Sequence, residues 1–228
     1  MTDYLPVLLS VDHPYPKIEQ WIADRFEALN NRKMLIIRRD MLPDEALLGH
    51  PTYAKAWLWD VVPEDTQRIM YIDFDAAPIR AMPEIPDVPF AAVPDAPWWV
   101  SQMCAAHPLF ARNKHVFNAG FFVMRRDTKP VFEQLKGFML NMGFRDPYNG
   151  TYEQMPMNHL IQVNFKVHWL PGNVHCLVHS SYDEVADARL IHFPGTPNKA
   201  RWASMELLRI ALGTRAIDDA KPEDPAAE

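Results

Sequence analysis

Apolar residues along the chain fall into short runs separated by stripes of helical spacing. Leu5 to Val11, LPVLLSV, reads as a first buried strand, and Asp12 to Pro16 make a turn. Lys17 to Leu29 then places Ile18, Trp21, Ile22, Phe26 and Leu29 on one helical face. Lys33 to Arg38, KMLIIR, reads as the second strand. A strand, a helix and a strand in this order predict a parallel pair joined by a right-handed crossover. Asp44 to Leu48 and Thr52 to Val61 read as helical, with Pro63 as the stop. Ile69 to Ile72 form the next buried strand, and Pro78 is expected to end its ladder.

The second half continues the alternation. Phe90 to Val93 give a short strand, Pro94 to Pro97 a turn, and Ser101 to Lys114 an irregular or helical stretch. His115 to Met124, HVFNAGFFVM, is a strand interrupted at Asn118, Ala119 and Gly120. A glycine inside a strand marks a bulge or a close approach of the backbone to a ligand. Val131 to Phe144 is an amphipathic helix, and Glu153 to Val163 a second one. Phe165 to Leu170 and Ala188 to Phe193 read as short strands, and Trp202 to Leu212 as a C-terminal helix. One domain over 1–215 is expected, followed by an acidic, disordered tail over 216–228. The fold class expected is α/β, with helices flanking the sheet.

Composition narrows the partners. A net charge of −6 argues against a nucleic-acid backbone as partner. Two cysteines in 228 residues argue against a disulfide scaffold and for a reducing, cytoplasmic setting. The N-terminal apolar run is too short for a signal peptide or a transmembrane segment.

The chemistry gathers at strand ends, where open α/β sheets hold their ligands. Asp73 and Asp75 close the third strand as DFD, one residue apart, and suit a hard divalent cation that also holds a phosphate. Alone, that pattern is weak, because a solvated turn would carry the same residues. The turn after the first strand would lie at the binding edge, where Tyr15 could stack on a base and Asp12 accept its hydrogen bond. Lys55 lies on a helix, where a lone lysine is usually solvated. His192 ends a strand ahead of Gly195 and Lys199, which suits a metal ligand beside a phosphate cradle. His175, Cys176 and His179 have spacing for zinc only if helical, and no second ligand pair stands nearby. Trp98 and Trp99 could stack on a sugar or on each other.

Five segments in order, SVDHPYPK, YAKAWLWDVVPEDTQRIMYIDFD, FAAVPD, FNAGFFVM with EQMPMN downstream, and IHFPGTPNKARW, resemble the glycogenin-like glycosyltransferases of family 8. The resemblance implies the GT-A fold, a Rossmann-like nucleotide-diphospho-sugar transferase with a mixed, mostly parallel sheet. It implies Mn²⁺ or Mg²⁺ on Asp73, Asp75 and His192, and Lys199, with Gly195, on the diphosphate. Asp12 and Tyr15 would serve the nucleotide. Lys55, Asp95, Asn118, Ala119 and Gly120 would hold the donor sugar, and Glu153 and Gln154 would sit near the anomeric carbon. The activity implied is transfer of a hexose from UDP-glucose or UDP-galactose to a carbohydrate or protein acceptor with retention. Three departures stand out: a βα unit before Lys55 is short or absent; the late motif reads HFPGTPNKARW, with an extra residue before the lysine and Ala-Arg where the family has proline; and Glu153 stands where the family has aspartate, which lengthens the side chain. Two rival functions are a phosphohydrolase of the haloacid-dehalogenase type and a non-catalytic nucleotide-sugar-binding relative.

Overall fold

Alternation within single strands decides the architecture. In the strand β3 (Arg68–Asp73), Ile69 and Tyr71 enter one apolar core, and Met70 and Ile72 enter another. Both faces of the sheet are therefore covered, which explains why the strand sequence is apolar throughout. The computed structural model describes residues 3–11, 16–106, 115–141, 152–178, 182–194 and 198–218.

Before β3 lie β1 (Leu5–Ser10), α1 (Pro16–Asn30), β2 (Leu35–Arg38) and α2 (Leu58–Val61). After it come β4 (Ala76–Pro78), β5 (Phe90–Pro94), α3 (Pro97–Ala106), β6 (Phe117–Arg125), α4 (Lys129–Asn141) and α5 (Gln154–Asn164). The chain closes with β7 (His168–Trp169), β8 (His175–Leu177), β9 (Leu190–His192) and α6 (Asn198–Asp218). Helix α1 buries Ile18, Ile22 and Phe26 four residues apart, the stripe its sequence predicts. It ends at Asn31, whose φ of 53° is left-handed and whose amide reaches the Glu27 carbonyl at 2.7 Å. Helix α1 packs on the core with Met70, while α4 and α5 supply Phe132, Leu135 and Ile161 to the core with Tyr71.

Among the described residues, six strands form the main sheet in the order β2-β1-β3-β6-β5-β7. β1 runs parallel to β2 and β3, and β5 parallel to β7. β6 is antiparallel to both its neighbours. The sheet is thus mixed and mostly parallel, as expected. Across the Asn118-Ala119-Gly120 break, Ala92 pairs with Phe122 but Pro94 pairs with Phe117, so β6 carries extra residues there.

A second sheet, β4-β9-β8, was not foreseen. Pro78, expected to stop a ladder, instead sits in β4 opposite Leu190. β4 is an edge strand, so the missing proline donor costs no ladder bond, and the Pro78 carbonyl takes Arg25 Nε at 2.6 Å. His175 and Cys176 also lie in this sheet rather than on a helix. The strand expected over Phe165 to Leu170 shrinks to His168–Trp169. The C-terminal helix starts at Asn198 and runs to Asp218, past the expected end at Leu212, and 219–228 fall outside the described residues. No described helix is long and apolar enough to cross a membrane.

Candidate active site

The two sheets meet at the DFD segment. β3 ends on Asp73, and the chain turns through Phe74 and Asp75 into β4. In the second sheet Ala76 pairs with His192, and the Phe193 amide donates to the Asp75 carbonyl at 3.1 Å. Antiparallel pairing of these segments therefore brings together residues far apart in sequence. Asp73, Asp75 and His192 each offer one ligand atom, all within 4.8 Å of one another. His192 Nε2 lies 2.9 Å from Asp75 Oδ1 and 3.9 Å from Asp73 Oδ2. Gly120 makes room for this ring: a Cβ there would stand 2.3 Å from His192 Cε1 and 2.8 Å from Nδ1. Two carboxylates and one imidazole form a donor set that fits a divalent cation such as Mn²⁺ or Mg²⁺.

Two cations, Lys55 and Arg201, face these carboxylates. Lys55, which the helical pattern alone would leave solvated and the resemblance puts on the donor sugar, is only 2% exposed. It lies in a 3₁₀ segment, Pro51–Trp57, rather than in an α-helix. Its Nζ contacts Asp73 at 3.2 Å and Glu153 at 2.7 Å, and donates to the Ala119 carbonyl at 3.1 Å. Burial works against the ammonium, but Asp73 and then Glu153 outweigh it and hold the pKa above the ordinary lysine value. Burial would likewise raise the Asp75 carboxyl, yet His192 first, then Arg201 and Lys55, hold it below the usual aspartate value. Arg201 on α6 reaches Asp75 Oδ2 at 3.3 Å. The Tyr71 hydroxyl donates to Asp73, and burial with that carboxylate raises the phenol well above its ordinary pKa.

Beside the acidic cluster lies a network of amides around Asp95. The buried Asp95 follows β5 directly. Its Oδ2 accepts Gln154 Nε2 at 2.8 Å and Asn118 Nδ2 at 3.2 Å, and its Oδ1 accepts the Ala96 amide at 2.7 Å. Asn118 Oδ1 takes the Gly120 amide at 2.8 Å, and Gln154 Oε1 takes the Ala119 amide at 3.1 Å. Asn158 fastens α5 to β6, accepting the Phe117 amide at 2.8 Å and donating to its carbonyl at 2.9 Å. The irregular stretch of β6 is thus where the Lys55 and Asp95 groups join, because each binds Ala119 backbone.

Most of the candidates converge. Lys55, Asp73, Asp75, Asp95, Asn118, Ala119, Gly120, Glu153, Gln154 and His192 belong to one connected set of contacts. Asp12, Tyr15 and Gly195 lie outside the described residues. Lys199 falls in the first turn of α6, with its side chain outside them. Four residues were missed. Tyr71 reads as a core residue, Asn158 as one polar position in an amphipathic helix, and Arg201 as a departure from a motif. The fourth, His175, was read with zinc, a reading that its strand conformation removes; His179 lies outside the described residues. His175 is buried, and its ring stacks on His192 at 4.8 Å between centroids. Burial first, then His192 and Lys55, push its pKa well below the ordinary imidazole value, so the ring is neutral.

A family model described as Glycosyl transferase family 8 matches residues 15–206. No curated protein matches the sequence. The fold is similar to that of a glycosyltransferase involved in glycosylation of the major capsid of PBCV-1. The TM-score is 0.61 at 16% identity, covering 89% of this chain and 99% of that one. It is similar to the galactosyltransferase LgtC in complex with donor and acceptor sugar analogs, with TM-score 0.59, 13% identity and coverage of 84% and 87%. It is also similar to the apo-form glycosyltransferase GlyE of Streptococcus pneumoniae TIGR4, with TM-score 0.55, 14% identity and coverage of 99% and 66%. At these identities the structures speak for the shared GT-A fold alone.

Proposed function

The chain belongs to glycosyl transferase family 8, and on that premise we propose that it transfers a hexose from UDP-glucose or UDP-galactose to a carbohydrate or protein acceptor, with retention. The observation that carries the metal-dependent reading is the convergence of Asp73, Asp75 and His192 within 4.8 Å, from segments more than a hundred residues apart in sequence. A cation held by these three would supply positive charge against the diphosphate as it departs.

The chain's own residues divide the remaining work. Asp95 and Asn118 orient the sugar hydroxyls through the amide network around β6. Gln154 offers an amide oxygen to the face of the anomeric carbon, where positive character develops as the sugar–phosphate bond stretches. Glu153 is less suited to that face, because it is buried and held by Lys55 at 2.7 Å, whereas Gln154 is half-buried and its Oε1, which takes the Ala119 amide at 3.1 Å, keeps a second lone pair. We therefore assign Lys55 and Glu153 to holding Asp73 in place, and Gln154 to the sugar. Lys199, Gly195 and Arg201 are assigned to the diphosphate, and Asp12 and Tyr15 to the nucleotide. Arg201 earns its place because its guanidinium already stands beside Asp75, and a planar fork suits phosphate. A cytoplasmic setting is proposed from the sparse cysteines.

The phosphohydrolase reading lapses with the family membership. Asp218 and Asp219, which could imitate the late acidic pair of such a phosphohydrolase, fall at the end of α6 and beyond the described residues respectively. The test is incubation with UDP-glucose or UDP-galactose and Mn²⁺, reading free UDP and sugar. UDP release that stops in chelator supports the proposal. UDP binding without turnover would replace it with a non-catalytic role, and inorganic phosphate from a phosphomonoester would revive the phosphatase.

A further inference from the structure

We infer that His175 is a positioning residue for His192, whose ring it holds by stacking in the orientation that offers Nε2 to the space beside Asp73 and Asp75. The inference rests on the metal-site reading above.

The sheet register produces the contact. β8 and β9 run parallel, with His175 opposite Leu190 and Leu177 opposite His192. Residues two apart on a strand share a face, so His175 and His192 lie diagonally on the same face. Their centroids are 4.8 Å apart and their planes differ by 29°. On the main-sheet side, His175 meets Phe121 at 5.5 Å.

Two features show that this ring does more than fill space. His175 is 1% exposed, and neither ring nitrogen has a hydrogen-bond partner among the described residues. Burying a polar group without a partner is unfavourable, so packing alone would be better served by phenylalanine or leucine. The second feature is on His192. A ligating histidine is usually oriented by a hydrogen bond from its other nitrogen. Here Nε2 faces Asp75, and the other nitrogen, Nδ1, is buried without a partner among the described residues. The ring is held instead on its face by His175 and at its edge by the bare Cα of Gly120.

The test compares wild type, H175F and H175L. Mn²⁺ is titrated alone and followed by the EPR signal of the free ion, and melting temperature is recorded without metal. Both variants are expected to melt no lower than wild type, since each removes unpaired nitrogens. H175L should bind Mn²⁺ more weakly, by roughly the 10–100-fold typical of losing an outer-shell partner. H175F keeps a ring to stack and should recover most of that loss. H175L binding Mn²⁺ as wild type does, or H175F failing as badly as H175L, would overturn the inference while leaving the metal site standing. Wild type that binds no Mn²⁺ would remove the metal reading and this inference with it. Should H175L not fold, a crystal structure of wild type with Mn²⁺ and UDP decides: the two rings still stacked supports the inference, and rings moved apart overturns it.

Discussion

Replacing Gly120 with alanine adds one methyl group beside the candidate metal site. The new Cβ would stand 2.3 Å from His192 Cε1, 2.8 Å from Nδ1 and 2.9 Å from Asn118 Oδ1. Ordinary contact begins at 3.4 Å, so His192 or the β6 backbone must yield by more than an ångström. The backbone is poorly placed to give way. Ala119 is tied on both sides, by Lys55 at its carbonyl and by Gln154 at its amide. The Gly120 amide is bound to Asn118, and the next residue, Phe121, pairs with Ile72 of β3. The imidazole is the softer partner, and turning it breaks the 2.9 Å contact of Nε2 with Asp75.

Overpacking of this kind costs about 1–3 kcal/mol. For a domain of this size each kcal/mol shifts the melting point by roughly 2–4 °C, so G120A should melt about 2–12 °C lower than wild type. Mn²⁺ affinity should fall by about 10–100-fold, as when a ligand loses its support. The assay is thermal melting without metal together with a Mn²⁺ titration, run on wild type, G120A, H192A and the double variant. Because the two shortest contacts are with His192, the alanine at 120 should cost much less stability when residue 192 is already alanine, where only the 2.9 Å approach to Asn118 Oδ1 is left. The gap in melting between the double variant and H192A should then be smaller than that between G120A and wild type, by more than the roughly 0.3–0.5 kcal/mol scatter of independent sites. A G120A protein with wild-type melting and Mn²⁺ binding, or a penalty that persists undiminished in the H192A background, would refute the reasoning.

Three further outcomes are expected. H192A should lower Mn²⁺-dependent turnover by at least roughly 10–100-fold and shrink the preference for Mn²⁺ over Mg²⁺, since the nitrogen donor is what favours the transition metal; an unchanged Mn²⁺/Mg²⁺ activity ratio would remove it as a ligand. D95A and N118A should reduce kcat far more than UDP affinity, because the proposal puts both on the sugar; steady-state kinetics with calorimetry of UDP binding would show equal losses if they are misassigned. R201A should weaken UDP binding in the presence of Mn²⁺ while leaving binding of Mn²⁺ alone within a few-fold, and calorimetry that finds the opposite order would make Arg201 a support for Asp75 only.

Much of this arrangement can be read from local sequence, and the reasons for what cannot are physical. Strands buried on both faces, such as Ile69 to Ile72, announce themselves by continuous apolar runs. The carboxylates of DFD and the late His192 are recognisable because each closes such a run. The small second sheet is different. Its strands are three residues long, one contains Pro78, and one carries His175, so no periodicity can develop. Lys55 shows the other limit. A lysine surrounded by alanines and tryptophans gives no sign of burial until Asp73 and Glu153, distant in sequence, neutralise it. The extra residue in HFPGTPNKARW likewise hides the fact that helix α6 brings Arg201 to Asp75. Charge pairing across elements depends on tertiary placement, and hydrophobic patterning carries no record of it.

In the proposed function Asp73, Asp75 and His192 bind the nucleotide-sugar through a shared divalent cation. Melting of the protein with UDP, with and without Mn²⁺, tests it most directly. Stabilisation by a ligand at a hundred times its dissociation constant amounts to about 2.7 kcal/mol, which for a domain of this size is a rise of roughly 5–11 °C. UDP with Mn²⁺ should produce a rise of that order, and UDP in excess chelator should produce almost none. Equal stabilisation by UDP in chelator would contradict the account, because the nucleotide would then be held without the cation that these three residues are proposed to share.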